Sequence, residues 1–153
     1  TFMGQNWGAG HKKRMMDSYL ISLFYAFAIA AVLGVAFYFA GRPFLYVFTN
    51  SADVVEAGMQ RMKIMCFSYA ISAFMDNTIA ACRGLGRTIV PSIVVIMGSC
   101  VFRVIWVYTI FAHYHTIPSL YLLYAFSWTI TAAAEIVYFL HCFRKLRLVP
   151  ETA

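Results

Sequence analysis

Three ionisable side chains stand alone inside long apolar stretches: Asp76, Arg103 and Glu135. A charge held in hydrocarbon is costly, so an acid or a guanidinium kept there points to work: binding an ion, carrying a proton or joining helices. Each continues a row of hydroxyls at four-residue steps. Ser68 and Ser72 lead to Asp76, Ser127 and Thr131 lead to Glu135, and Ser99 leads to Arg103. Residues four apart share one helix face, so each row can line a common interior or a water-filled cavity while the other faces meet lipid. The structural alternative is that the hydroxyls bond back to their own helix and the charges tie helices together. Asp76 is the candidate for binding an ion or a proton. Ser68, Ser72, Glu135 and Arg103 are candidates for cavity lining.

Depth along a helix can be counted. Asp76 lies seven residues before Arg83, roughly 10 Å from that end of its span, and Glu135 lies about 12 Å in when counted from Phe143. Two acids at one level suit a proton carrier or a cage for a monovalent cation. Arg103 is sixteen residues beyond Arg87, about 24 Å deep, so its long side chain would have to bend far down to reach either acid.

The elements that position these groups must be membrane helices. The chain has 153 residues, of which 62% are hydrophobic and 12% charged, too few charges to cover a soluble globule. Between Asp17 and Arg42 lie 24 residues without a charge, roughly 36 Å of helix and enough to cross a bilayer. Three further stretches of spanning length contain Asp76, Arg103 and Glu135. The expected fold is all-α, a polytopic helical bundle over residues 1–153. It has four complete transmembrane helices near 18–40, 62–82, 89–112 and 119–142, preceded by the end of a fifth. The chain opens in what reads as the tail of an apolar helix, without a secretory leader, and we expect it to be part of a longer protein. A short interfacial helix, capped at Asn50 and favoured by Asp53 in its first turn, is expected before the second full span.

The net charge is +6, yet the basic residues form short blocks between spans and no continuous face. Anionic lipid headgroups therefore explain them better than nucleic acid. Lys12, Lys13, Arg14, Arg83, Arg87, Arg144, Lys145 and Arg147 fall on one side of the alternating spans. Arg42, Arg61 and Lys63 fall on the other. The positive-inside rule makes the first group cytoplasmic: the turn from Gly4 to Arg14, the turn from Arg83 to Arg87, and the C-terminus of a protein in the cell (inner) membrane. Cys66, Cys82, Cys100 and Cys142 are isolated and read as packing residues. His113 and His115 alone are a poor metal pair and read as a polar turn. No catalytic grouping or nucleotide-binding loop is present, so neither an enzyme nor a metal or organic cofactor is expected.

Two motifs remain. "GQNWGAG", with Gly4, Gln5, Asn6, Gly8 and Gly10, precedes a basic turn, and "CRGLGRT", with Arg83, Gly84 and Gly86, separates two spans. In type and spacing they resemble the carboxy-terminal half of multidrug and toxic compound extrusion (MATE) transporters, where such turns follow the eighth and tenth helices. Cys82 stands where leucine is usual. The resemblance implies a twelve-helix, two-lobe fold, of which this chain holds the end of helix eight through helix twelve. It implies export of organic cations by alternating access in exchange for sodium or protons, with Asp76 as the ion-site acid of the tenth helix. The missing N-terminal lobe would be a partner, and this part alone would transport nothing, because alternating access needs two bundles. The alternatives are a lipid-linked saccharide flippase, which needs a strongly cationic cavity, and a non-transporting membrane scaffold whose polar rows are buried helix contacts.

Overall fold

The computed structural model describes residues 1–146 except the side chain of Phe67; Arg147 of the basic tail lies outside the described residues. Among these residues the secondary structure is entirely helical. α1 is Phe2–Gly8, α2 is Lys12–Tyr46, α3 is Ala52–Gly84, α4 is Ile89–Tyr114 and α5 is Ile117–Arg144. In hydrocarbon the backbone must satisfy its own N–H and C=O groups, which only a helix can do within one segment. The stretches 18–40, 62–82, 89–112 and 119–142 fall within α2, α3, α4 and α5. Of these, α2, α4 and α5 are each long and apolar enough to cross a membrane. α3 is bent by 42° between its halves Ala52–Cys66 and Ser68–Gly84, and it makes a fourth span when the halves are taken together.

The expected separate interfacial helix before the second span is corrected by this bend: residues from Ala52 onward run on into α3. No proline interrupts them, and Gly58 lets the segment settle against Leu45 of α2, so nothing stops the helix. The N-cap is Ser51 rather than Asn50, and its side chain makes no capping bond. Asp53 does stand in the first turn.

The two glycine motifs end their helices identically. After α1, the His11 amide donates to the Asn6 carbonyl (2.9 Å) and the Gly10 amide to Trp7 (3.0 Å). After α3, the Arg87 amide donates to Cys82 (3.0 Å) and the Gly86 amide to Arg83 (2.9 Å). Both are Schellman caps, which require a left-handed residue just past the helix, and Gly10 and Gly86 supply it with φ of 74° and 69°. The two turns also touch. A side chain added at Gly84 would run into Met3, and one at Gly4 would meet the Gly84 carbonyl at 3.3 Å. Around this junction Met3, Met15, Tyr19, Ala81, Cys82, Leu85, Phe139 and Phe143 form the main buried apolar cluster.

α3 is the central helix. It packs against α2 on one side and α5 on the other, while α4 lies against α5. α4 is not a uniform helix, because Met97–Val101 and Val107–Phe111 are π-helical turns. The first sits where Gly98 allows α4 to press on Thr131 of α5. The outward faces of α2 and α4 carry exposed large apolar side chains such as Leu20, Phe24, Ile29, Val104 and Tyr108, a surface suited to lipid.

Candidate functional site

Between α2 and α3 runs a groove of about 600 Å³. Its α2 wall includes the small residues Ala26, Ala30 and Gly34 together with Leu33 and Phe37. Its α3 wall includes Tyr69, Ser72, Asp76 and Asn77. Asp76 is exposed there, and among the described residues its carboxylate has no salt-bridge partner. Among the described residues no Lys or Arg lines the groove. Next to it, the Asn77 side chain joins the two helices: the Ser22 hydroxyl donates to its Oδ1 (2.9 Å), and its Nδ2 donates to the Tyr19 carbonyl (3.4 Å). This amide fixes the rotation of α3 against α2, and with it the direction of Asp76. A groove holding one free carboxylate beside hydroxyl and amide oxygens can coordinate a small cation or exchange a proton with water.

Glu135 has different surroundings. It is completely buried, and among the described residues neither carboxyl oxygen has a hydrogen-bond partner. One helical turn on either side lie Thr131 and Phe139, both buried. Phe139 stacks on Tyr19 with ring centroids 4.5 Å apart, and the Tyr19 hydroxyl shares a hydrogen bond of 2.9 Å with Thr78 of α3. Glu135 therefore belongs to the packed contact of α5 and does not line the groove that holds Asp76. The two acids are near one level along their helices but stand in separate environments.

The remaining candidates divide in the same way. Ser72 lines the groove, although its hydroxyl donates to its own helix at Tyr69 (2.9 Å). Ser68 is buried and donates to Ile64 (2.9 Å). Arg103 binds α5. Its Nε donates to the Ser127 hydroxyl (3.2 Å), and its guanidinium lies 4.4 Å from the Tyr124 ring centroid and 5.8 Å from that of Trp128. The Ser127 hydroxyl in turn donates to the Gly98 carbonyl (2.7 Å), inside the first π turn of α4. Guanidinium, hydroxyl and carbonyl thus form a chain that fastens α4 to α5. Of the turn residues, Gly4, Gly10, Gly84 and Gly86 have the structural roles given above. Asn6 donates to the Phe2 carbonyl (2.8 Å) within α1. Gln5 and Arg83 are exposed, and nothing in the structure explains Gly8, which has open space beside it. Asn77 and the Tyr19–Thr78 pair were missed from sequence. An amide beside Asp76 within a span was the signal that could have found the first.

A helical bundle with several apolar spans and a carboxylate open to an interior groove is a polytopic membrane protein. The particular family follows from comparison: the MatE family model matches residues 1–109, and the chain belongs to that family, whose members are transporters. Over 86 residues the chain is 24% identical to Protein DETOXIFICATION 8 of Arabidopsis thaliana, a match covering 56% of this chain and 18% of that protein. The chain thus spans a small part of the length of this relative. Glu135 and the rest of α5 lie beyond the residues that the family model matches.

Proposed function

We propose that this chain is the C-terminal part of a cation-coupled antiporter that exports organic cations by alternating access, with Asp76 holding the coupling sodium ion or proton. The observation that carries the reading is the exposure of Asp76, with no salt-bridge partner among the described residues, in the α2–α3 groove beside Ser72 and Asn77. The flippase alternative calls for cationic walls able to hold a pyrophosphate, whereas this groove is lined by an acid and, among the described residues, by no Lys or Arg. The scaffold alternative accounts for Ser68, Ser127, Thr131 and Glu135, which are buried, but leaves Asp76 without a reason to face open space. The basic turns and the end of α5 face the cytoplasm in this reading, and the missing lobe completes the cavity.

The test is efflux of a fluorescent organic cation from cells expressing the complete protein that contains this chain. Asp76→Asn keeps the shape and removes the charge, and efflux driven by a sodium or proton gradient is expected to fall to the level of cells without the protein. Undiminished efflux removes Asp76 from the mechanism.

A further inference from the structure

At the end of the bundle where the two glycine turns meet, a second kind of cavity opens. It has a volume of about 470 Å³, and its walls include Trp7 of α1, Arg87 just past the α3 cap, Tyr138 and His141 in the last turns of α5, and Lys145 just past its end. Among the described residues no acidic side chain lines it. The arrangement follows from local structure. The Schellman cap holds the Arg87 backbone through the hydrogen bond its amide donates to the Cys82 carbonyl, while His141 and Lys145 are four residues apart and so share one face. Trp7 and Tyr138 add aromatic groups of the type that settles at headgroup level.

Cations at a helix C-terminus are ordinary, because they face the negative end of the helix dipole. That effect is about half a charge per helix and is partly met here by the two glycine caps. Seven Lys and Arg gather at this end among the described residues: Lys12, Lys13, Arg14, Arg83, Arg87, Arg144 and Lys145. The ion pair among the described residues, Arg42 with Glu56 at 2.7 Å, lies at the opposite end of α2. Among the described residues none of these seven cations forms a salt bridge, and two of them, Arg87 and Lys145, line a cavity of ligand size at the level where phosphates of a leaflet lie.

We infer that the Trp7–Arg87–His141–Lys145 cavity binds a phosphate group, presented by an anionic phospholipid of the adjoining leaflet. Arg87 supplies the planar donor fork and Lys145 the second charge, while Trp7 and Tyr138 pack against the glycerol and upper acyl chain. This site is separate from the Asp76 groove and stands whether or not transport occurs there.

The test uses the protein in nanodiscs containing equal amounts of phosphatidylglycerol and phosphatidylcholine, with native mass spectrometry counting the lipids retained on release. Preferential retention of phosphatidylglycerol is expected. The variant Arg87→Gln with Lys145→Gln should retain it roughly ten- to thirtyfold less, the effect of two charges at a membrane surface. The control Arg61→Gln with Lys63→Gln, at the other end, should retain it as the parent does. Lys145→Gln alone, at an exposed position that does not disturb packing, should show an intermediate loss and guards against misfolding of the double variant. Addition of inorganic phosphate distinguishes the sources: retention that survives an excess assigns the site to the headgroup, and displacement overturns that assignment in favour of phosphate from solution. Equal retention by the parent and the Arg87 and Lys145 variants overturns the site itself.

Discussion

Asp76 and Glu135 are both acids inside apolar spans, and counting along the helices puts them near one depth, yet one faces an open groove and the other is sealed. The difference comes from the neighbours of α3. On its α2 side, Ala26 and Ala30 are small and leave the surface around Asp76 open, while Gly34 lies close against the Cys66 backbone. On its α5 side, Thr131 and Phe139 are buried one turn to either side of Glu135, and Phe139 is backed by Tyr19, whose hydroxyl is bonded to the buried Thr78 of α3. Small residues facing a helix can therefore leave a groove or bring backbones together, depending on what stands opposite. Gly98 shows the second outcome, since Thr131 lies directly against it.

The sealed side should be the more sensitive to added volume. Gly98→Leu would drive a branched side chain into Thr131 and separate α4 from α5. The hydrogen bond from the Ser127 hydroxyl to the residue 98 carbonyl and the Arg103–Ser127 bond would be lost with it. A loss of about 3 kcal/mol or more is expected, measured by denaturant unfolding in detergent micelles. Ala30→Leu, placed in the open groove, should cost much less because the space is there to receive it. Equal losses would mean that the groove closes in solution and that the contrast between the two sides is absent.

The second expected effect has the opposite sign. Glu135 has two buried oxygens without partners among the described residues, and desolvating a polar group without compensation costs on the order of 1–3 kcal/mol. Glu135→Met keeps much the same volume and removes the polar atoms. Unfolding of this variant should therefore require more denaturant, by about 1–3 kcal/mol. A lower stability would show that the carboxyl is held by a partner, and Glu135 would then join the polar glue of Ser127 and Arg103. A gain in stability that abolishes transport by the complete protein would mark Glu135 as a group retained for activity at a cost to the fold.

The contrast between these sides was only partly legible in the sequence. Uncharged runs gave the helices, because length and hydropathy act locally. "GQNWGAG" and "CRGLGR" were readable as turns, since a left-handed glycine past a helix is a local requirement. Contact between the turns at Gly4 and Gly84 was not readable, because it depends on how α1 is carried across α3. Four-residue steps correctly group residues on one face of a regular helix but do not say which helix lies opposite. Ser68, Ser72 and Asp76 form one row, yet Ser68 is buried while Ser72 and Asp76 line the groove. In α4 the rule itself weakens, as the π turn Met97–Val101 alters the winding between Ser99 and Arg103. Arg103 pairs with no acid because Ser127, Tyr124 and Trp128 reach it first at its own depth.

The smallest expected effect is the one that separates site from scaffold. Asp76 is exposed and has no salt-bridge partner among the described residues, so its charge holds nothing together. Asp76→Asn should alter unfolding by no more than about 0.5 kcal/mol, the range of surface substitutions that break no contact. Measured on the protein used for efflux, this near-zero value gives the loss of transport a single meaning, because a folded carrier has then lost only a charge. A drop of 2 kcal/mol or more, well beyond that range, would instead place Asp76 in the same class as Ser127, a group that joins helices. The groove would then be a gap between α2 and α3, with no ion to hold.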